Sequence, residues 1–133
     1  MDMKLSKNFS LSEFLVTSTG IENIPTKEVI ENLRKLCVNV LQPLRDMYGK
    51  PIIITSGYRS PKVNKAVGGS KTSGHMLGTA ADITAGHKTL NKNLYILIRD
   101  NFEFRQLIDE YNFQWVHVEY REGDNKKQLL KIG

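Results

Sequence analysis

His75, Asp82 and His117 carry the donor atoms from which this chain could build a reactive centre. His75 and Asp82 stand seven positions apart in Ser73-Gly74-His75-Met76-Leu77-Gly78-Thr79-Ala80-Ala81-Asp82, a segment crowded with small residues. His117 lies in Trp115-Val116-His117-Val118, which reads as a strand. Two neutral imidazoles and one carboxylate, with a fourth position open, are a known way to hold a catalytic Zn²⁺. The spacing differs from the helical H-E-x-x-H pattern, so a loop and strands must supply the ligands. His87, in Ala85-Gly86-His87-Lys88, has no such partners and is read as a non-ligand.

The strands around His117 decide which carboxylate can join it. Alternation puts Trp115, His117 and Glu119 on one face and Val116, Val118 and Tyr120 on the other. Gln106-Leu107-Ile108-Asp109-Glu110 also alternates and is expected to pair with it as a hairpin. An even loop sets Glu110 opposite Trp115, so that Glu110 and Ile108 share the face of His117. An odd loop would bring Asp109 there instead. Glu110 is the favoured general base, because a carboxylate beside such a metal can take a water proton and later hand it to a leaving amine. Glu119 reads as a solvated strand residue. Upstream, Ser56-Gly57-Tyr58-Arg59-Ser60-Pro61 directly follows an apolar run, which places the Arg59 guanidinium at the mouth of the sheet. Arginine there is suited to capturing a carboxylate or stabilising an oxyanion. Ser73, Tyr58 and Trp115 are the candidates for contact with substrate, with loop orientation the alternative for Ser73 and packing for the two aromatic residues.

The elements that must position these groups follow from periodicity and punctuation. Residues 8–16 read as a short helix with a Ser10/Glu13 capping box. Thr26 caps a long amphipathic helix whose stripe is Val29, Ile30, Leu33, Leu36, Cys37, Val40 and Leu41; Pro43 perturbs it and Gly49 ends it. Ile52-Ile53-Ile54-Thr55 reads as a buried strand. Residues 56–81 form a long, turn-rich stretch with one helical turn near Asn64, and such stretches in compact domains are more often functional than accidental. Residues 80–84 read as a strand and 90–101 as a helix. Residues 121–133 are polar apart from Leu129, Leu130 and Ile132. The expected fold is one α+β domain over 1–133, with a small, mostly antiparallel sheet, helices packed on one side and the metal site in a cleft on the sheet.

The totals narrow the function classes. With 133 residues, 40% apolar and 25% charged, the chain can bury a core without staples. Its one cysteine, Cys37, excludes an intrachain disulfide and a cysteine-based metal site and reads as inert core. No apolar run reaches membrane-spanning length, so no membrane insertion is expected. Nor does an apolar run follow the N-terminal charges, which predicts synthesis in the cytoplasm without a signal peptide. The net charge of +5 favours an anionic partner. The charges are scattered and no nucleic-acid motif is present, so nucleic acid is not the expected partner.

Ser56-Gly57-Tyr58-Arg59-Ser60-Pro61, Val63-Asn64, Ala66-Val67-Gly68-Gly69, Ser73-x-His75-x-x-Gly78-x-Ala80-x-Asp82 and Trp115-Val116-His117-Val118 together closely resemble the zinc D-alanyl-D-alanine carboxypeptidase family. That family includes bacteriophage L-alanyl-D-glutamate endopeptidases and belongs to a wider group with lysostaphin and the hedgehog signalling domain. The resemblance runs from about residue 9 to 121 and is that of a short-form member. It implies Zn²⁺ bound by His75, Asp82 and His117, with Arg59 polarising the scissile carbonyl or binding a substrate carboxylate. It implies hydrolysis of peptide bonds in bacterial peptidoglycan. A monomer is the default expectation, and the lack of a signal peptide and of a separate wall-binding domain fits a phage- or mobile-element-encoded lysin acting on the cell wall. Several members place the catalytic acid three residues before the last histidine, where this chain has Gln114; in short-form members a glutamate of the preceding strand serves, and Glu110 matches it. Gln114 keeps open the alternative of a non-catalytic, zinc-containing module that grips wall peptide.

Overall fold

Residues 2–133 are described in a computed structural model. Two short strands, β1 (Lys4–Ser6) and β2 (Phe9–Ser10), form a separate antiparallel pair. The helices α1 (Lys27–Leu36), α2 (Gln42–Tyr48), α3 (Pro61–Ala66) and α4 (Lys88–Asn101) accompany a five-stranded sheet. Its strands are β3 (Ile53–Ser56), β4 (Ala80–Thr84), β5 (Gln106–Glu110), β6 (Trp115–Glu119) and β7 (Gln128–Ile132), in the order β3-β4-β6-β5-β7. All neighbours run antiparallel except β5 and β7, which are parallel. The architecture is the expected α+β one with a mostly antiparallel sheet. No helix among the described residues is long and apolar enough to cross a membrane.

The apolar stripe of the long helix becomes the core. Thr26 caps α1, its Oγ1 accepting the Val29 N–H at 3.2 Å. Leu33, Leu36, Cys37, Val40, Leu41 and Leu44 are fully buried along one continuous face. Each such leucine contributes about 1.5–3 kcal/mol of burial free energy. Pro43 cannot donate a helical hydrogen bond and clashes with the preceding turn. The chain answers by widening into a π-helical turn over Cys37–Leu41, where the Gln42 N–H reaches back to the Cys37 carbonyl. The expected perturbation is thus a bulge rather than a break. Gly49 closes α2 at φ 80°.

Alternation divides the sheet. Ala81, Ile83, Leu107, Val116 and Val118 face the helices and belong to the core cluster. The opposite face is ordered by register into three rows across the strands. Glu110 lies beside Trp115, with Ile132 outside; Asp82 lies beside His117, followed by Ile108 and Leu130; Ala80 lies beside Glu119, followed by Gln106 and Gln128.

Two elements of the sequence reading need correction, and a third starts earlier than expected. The expected helix over 8–16 is strand β2 followed by a 3₁₀ turn at Leu11–Phe14, although Glu13 does accept the Ser10 N–H at 2.6 Å. The C-terminal apolar cluster is strand β7, hidden from pattern analysis because most of its residues are exposed and its partner β5 is remote in sequence. The helix in the long stretch is α3, started by Ser60, whose Oγ accepts the Val63 N–H. The hairpin turn between β5 and β6 is also unusual: Tyr111, Asn112 and Phe113 all have positive φ without a glycine. It is pinned by the buried Asp109, whose Oδ1 accepts the Phe113 N–H at 2.6 Å, and by Asn91 of α4, which donates to the Phe113 and Gln114 carbonyls.

Candidate metal centre

Asp82 and His117 are directly opposed on β4 and β6, so sheet register alone brings them together. His75 arrives from a 3₁₀ turn, Gly74–Met76, whose start is capped by Ser73 Oγ accepting the His75 N–H at 3.1 Å. The His75 Nδ1–H donates to the Gly57 carbonyl at 2.7 Å. A carbonyl can only accept, so this bond leaves the Nε2 lone pair pointing inward. His75 Nε2 lies 3.4 Å from Asp82 Oδ1, and His117 Nδ1 lies 2.9 Å from the same oxygen. All three residues are buried, and their donor atoms lie within 4.8 Å of one another.

This set fits zinc. Bonds of about 2.0–2.1 Å in a tetrahedron place ligand atoms roughly 3.3 Å apart, close to the spacing here. Two borderline nitrogen donors and one carboxylate oxygen suit Zn²⁺. The held His75 tautomer is the orientation that metal-binding imidazoles usually receive from a hydrogen bond to the far nitrogen. Burial works against a charge on Asp82, yet the two imidazoles beside it outweigh that and hold its carboxyl well below the usual carboxylate range. It is therefore an anion at neutral pH, ready to bind a cation.

The centre sits in a cleft of about 690 Å³ lined also by Arg59, Ser73, Glu110 and Trp115. The even hairpin loop sets Glu110 opposite Trp115, and the carboxylate approaches His117 Nδ1 to 4.0 Å. Trp115 Nε1 donates to Glu110 Oε2 at 3.1 Å. Partial burial, then the negative charge of Asp82, push the Glu110 pKa above its ordinary value. Asp109 faces the helices instead and caps the hairpin turn. Arg59 is tied to the histidine turn through its backbone N–H, which donates to the His75 carbonyl at 3.0 Å. Its guanidinium rests on Ser56 Oγ and Asn64 Oδ1, with Nη2 3.8 Å from Asp82 Oδ2.

With that arrangement in view, comparison with known proteins is decisive. The family model for peptidase M15 matches residues 7–119. The chain belongs to the peptidase M15 family. A zinc D-Ala-D-Ala carboxypeptidase from Streptomyces albus G is 49% identical over 47 residues, 35% of this chain. The matched segment spans 18% of that relative's length.

Within this M15 chain, the other candidates divide. Tyr58 does not join the cleft: it is 6% exposed and packs in the core, while its N–H donates to the Phe14 carbonyl. Gln114 lies outside the cleft too, in a shallow depression with His87 and Phe113. His87 serves as the cap of α4, its Nδ1 accepting the Thr89 N–H. Glu119 is buried rather than solvated, because the turn carrying His75 folds over it. Sequence reasoning missed its partners Arg105 and Arg121, which also line the cleft. The only sequence signal for them was the alternation that puts Glu119 on the face of His117.

Proposed function

We propose that this chain is a zinc peptidase that hydrolyses peptide bonds in bacterial peptidoglycan, in stem peptides or cross-links. The observation that carries the reading is the convergence of His75 Nε2, Asp82 and His117 in one cleft, with Glu110 beside them. The M15 family and the zinc carboxypeptidase relative support it. In this reading His75, Asp82 and His117 hold the metal. Zn²⁺ bound there supplies Lewis acidity toward a peptide carbonyl and toward water. Glu110 takes a proton from the attacking water, the new carbon–oxygen bond forms, and the proton passes to the amine nitrogen as the carbon–nitrogen bond breaks. Trp115 steadies Glu110 by donating to Oε2, the carboxylate oxygen that also approaches His117. Arg59 donates to the carbonyl oxygen as negative charge develops there. Ser73 shapes the rim and orients the His75 turn, and Trp115 lines the groove for substrate.

The test is digestion of purified peptidoglycan by the zinc-loaded protein, with mass spectrometry of the fragments and a chelator control. Chelator-sensitive release of peptide fragments is expected, and their masses name the bond. Stoichiometric zinc without cleavage across several wall types would overturn the reading in favour of a wall-binding module.

A further inference from the structure

The cleft extends beyond the metal row to a charged group that the hydrolytic scheme does not use. Glu119 lies two residues past His117 on the same face of β6, about 7 Å further along the strand. It is 4% exposed, and a buried carboxylate must be paired. Thr79 Oγ1 donates to its Oε2 at 2.6 Å, Arg121 Nε donates to the same oxygen at 2.9 Å, and Arg105 Nε stands 3.6 Å from Oε1. Arg105 also pairs with Asp124 through Nη1. Both Nη nitrogens of Arg121 and Nη2 of Arg105 are then left without a protein acceptor among the described residues.

Both arginines line the cleft. A guanidinium anchored by Nε presents its Nη–H groups as a planar fork that matches a carboxylate. Charge points the same way. The cleft lining holds Arg59, Arg105 and Arg121 against Asp82, Glu110 and Glu119. Three positive and three negative charges balance, so a divalent cation leaves the cleft with two positive charges and a preference for anionic ligands. The pair is rigidly tied to the metal centre: a Cβ on Gly74, next to His75, would meet Glu119 Oε2 at 2.3 Å.

We propose that Arg121 and Arg105, braced on Glu119, form a carboxylate-binding subsite that selects peptides bearing a free carboxylate about two residues from the cleaved bond. The proposal rests on the peptidase reading and names its substrate class. The test uses a synthetic peptide built on the cleaved bond, with a glutamate two residues from that bond and its carboxylate free, and a twin in which that group is a carboxamide. Zinc-loaded wild type is expected to favour the free acid roughly 10- to 100-fold in kcat/KM, chiefly through KM. In Arg121→Gln the acid-to-amide ratio falls toward one, and in Arg121→Lys it is intermediate because charge persists without the fork. Unchanged melting temperature and zinc content establish that the variants are folded. Calorimetric titration of both peptides into zinc-loaded Glu110→Gln protein gives the same preference without turnover. Equal handling of the two peptides by wild type, or equal losses on both in Arg121→Gln, overturns the subsite. Acid-selective binding that depends on Arg121, with no cleavage of either peptide, upholds the subsite and sinks the peptidase reading.

Discussion

Replacing Gly57 by alanine should damage both the fold and the metal centre, through one displacement. The new Cβ would lie 2.6 Å from Phe14 Cα and 2.6 Å from the Phe14 carbonyl oxygen. Carbon atoms pack at about 3.5–4.0 Å, so the two backbones must part by about 1 Å. Neither can swing aside, because Phe14 is fully buried and its carbonyl accepts the Tyr58 N–H at 2.7 Å. Overpacking of this kind costs about 1–3 kcal/mol. The lost freedom of glycine in the unfolded chain returns about 0.4–1 kcal/mol, so a net loss on the order of 1 kcal/mol is expected. The same shift acts on the Gly57 carbonyl, which receives the His75 Nδ1–H at 2.7 Å. Moving it by about 1 Å breaks the bond, and losing such an orienting partner costs about 10- to 100-fold in metal affinity. Urea denaturation with chelator present measures the first effect; zinc affinity by competition with a chromophoric chelator measures the second. A wild-type midpoint would refute the steric argument. A lowered midpoint with unchanged zinc affinity would refute the coupling between the glycine and the histidine.

His117→Ala should fold but bind zinc weakly: at zinc near a hundred times the wild-type Kd, wild type gains about 2.7 kcal/mol, on the order of 10 °C in melting temperature, and the variant almost none. Scanning calorimetry with and without zinc decides this. Glu110→Gln should keep zinc stoichiometric by atomic absorption while kcat falls about 10²- to 10⁴-fold; a near-normal kcat would remove Glu110 from the proton transfer. Burial pushes the Cys37 thiol from an ordinary value of 9.0 up to about 12. In the unfolded chain the thiol ionises first, so the unfolded state binds fewer protons and stability falls as pH rises from about 9 toward 12. Cys37→Ala should show a shallower fall in denaturation midpoint over that window, and parallel curves would contradict the burial argument.

Much of the cleft was legible in residue patterns because its geometry depends on strand periodicity. Period-two alternation placed His117 and Glu110 on one face, and loop parity separated Glu110 from Asp109. The stripe from Val29 to Leu44 marked the main helical core, and Pro43 marked its irregular turn. What escaped depends on contacts between distant segments. Strand β7 joins the sheet in parallel beside β5, with only Leu130 and its neighbours to hint at it. Glu119 looks solvated until the irregular loop bearing Gly74 and Thr79 closes over it, and Arg105 and Arg121 acquire their setting only then. Tyr58 sits in the same motif as Arg59, and of its two readings, substrate contact and packing, the side chain's place in the core supports packing.

Because Asp82 and His117 face each other across β4 and β6, the centre comes into being only when those strands are in register. A slip of one residue would turn Asp82 toward the helices and leave His117 without its partner. Strands separated by so much intervening chain must close a costly loop before they pair. Native register of these two strands is therefore a precondition for the complete ligand set, and metal that binds the folded chain but not the unfolded one stabilises that register.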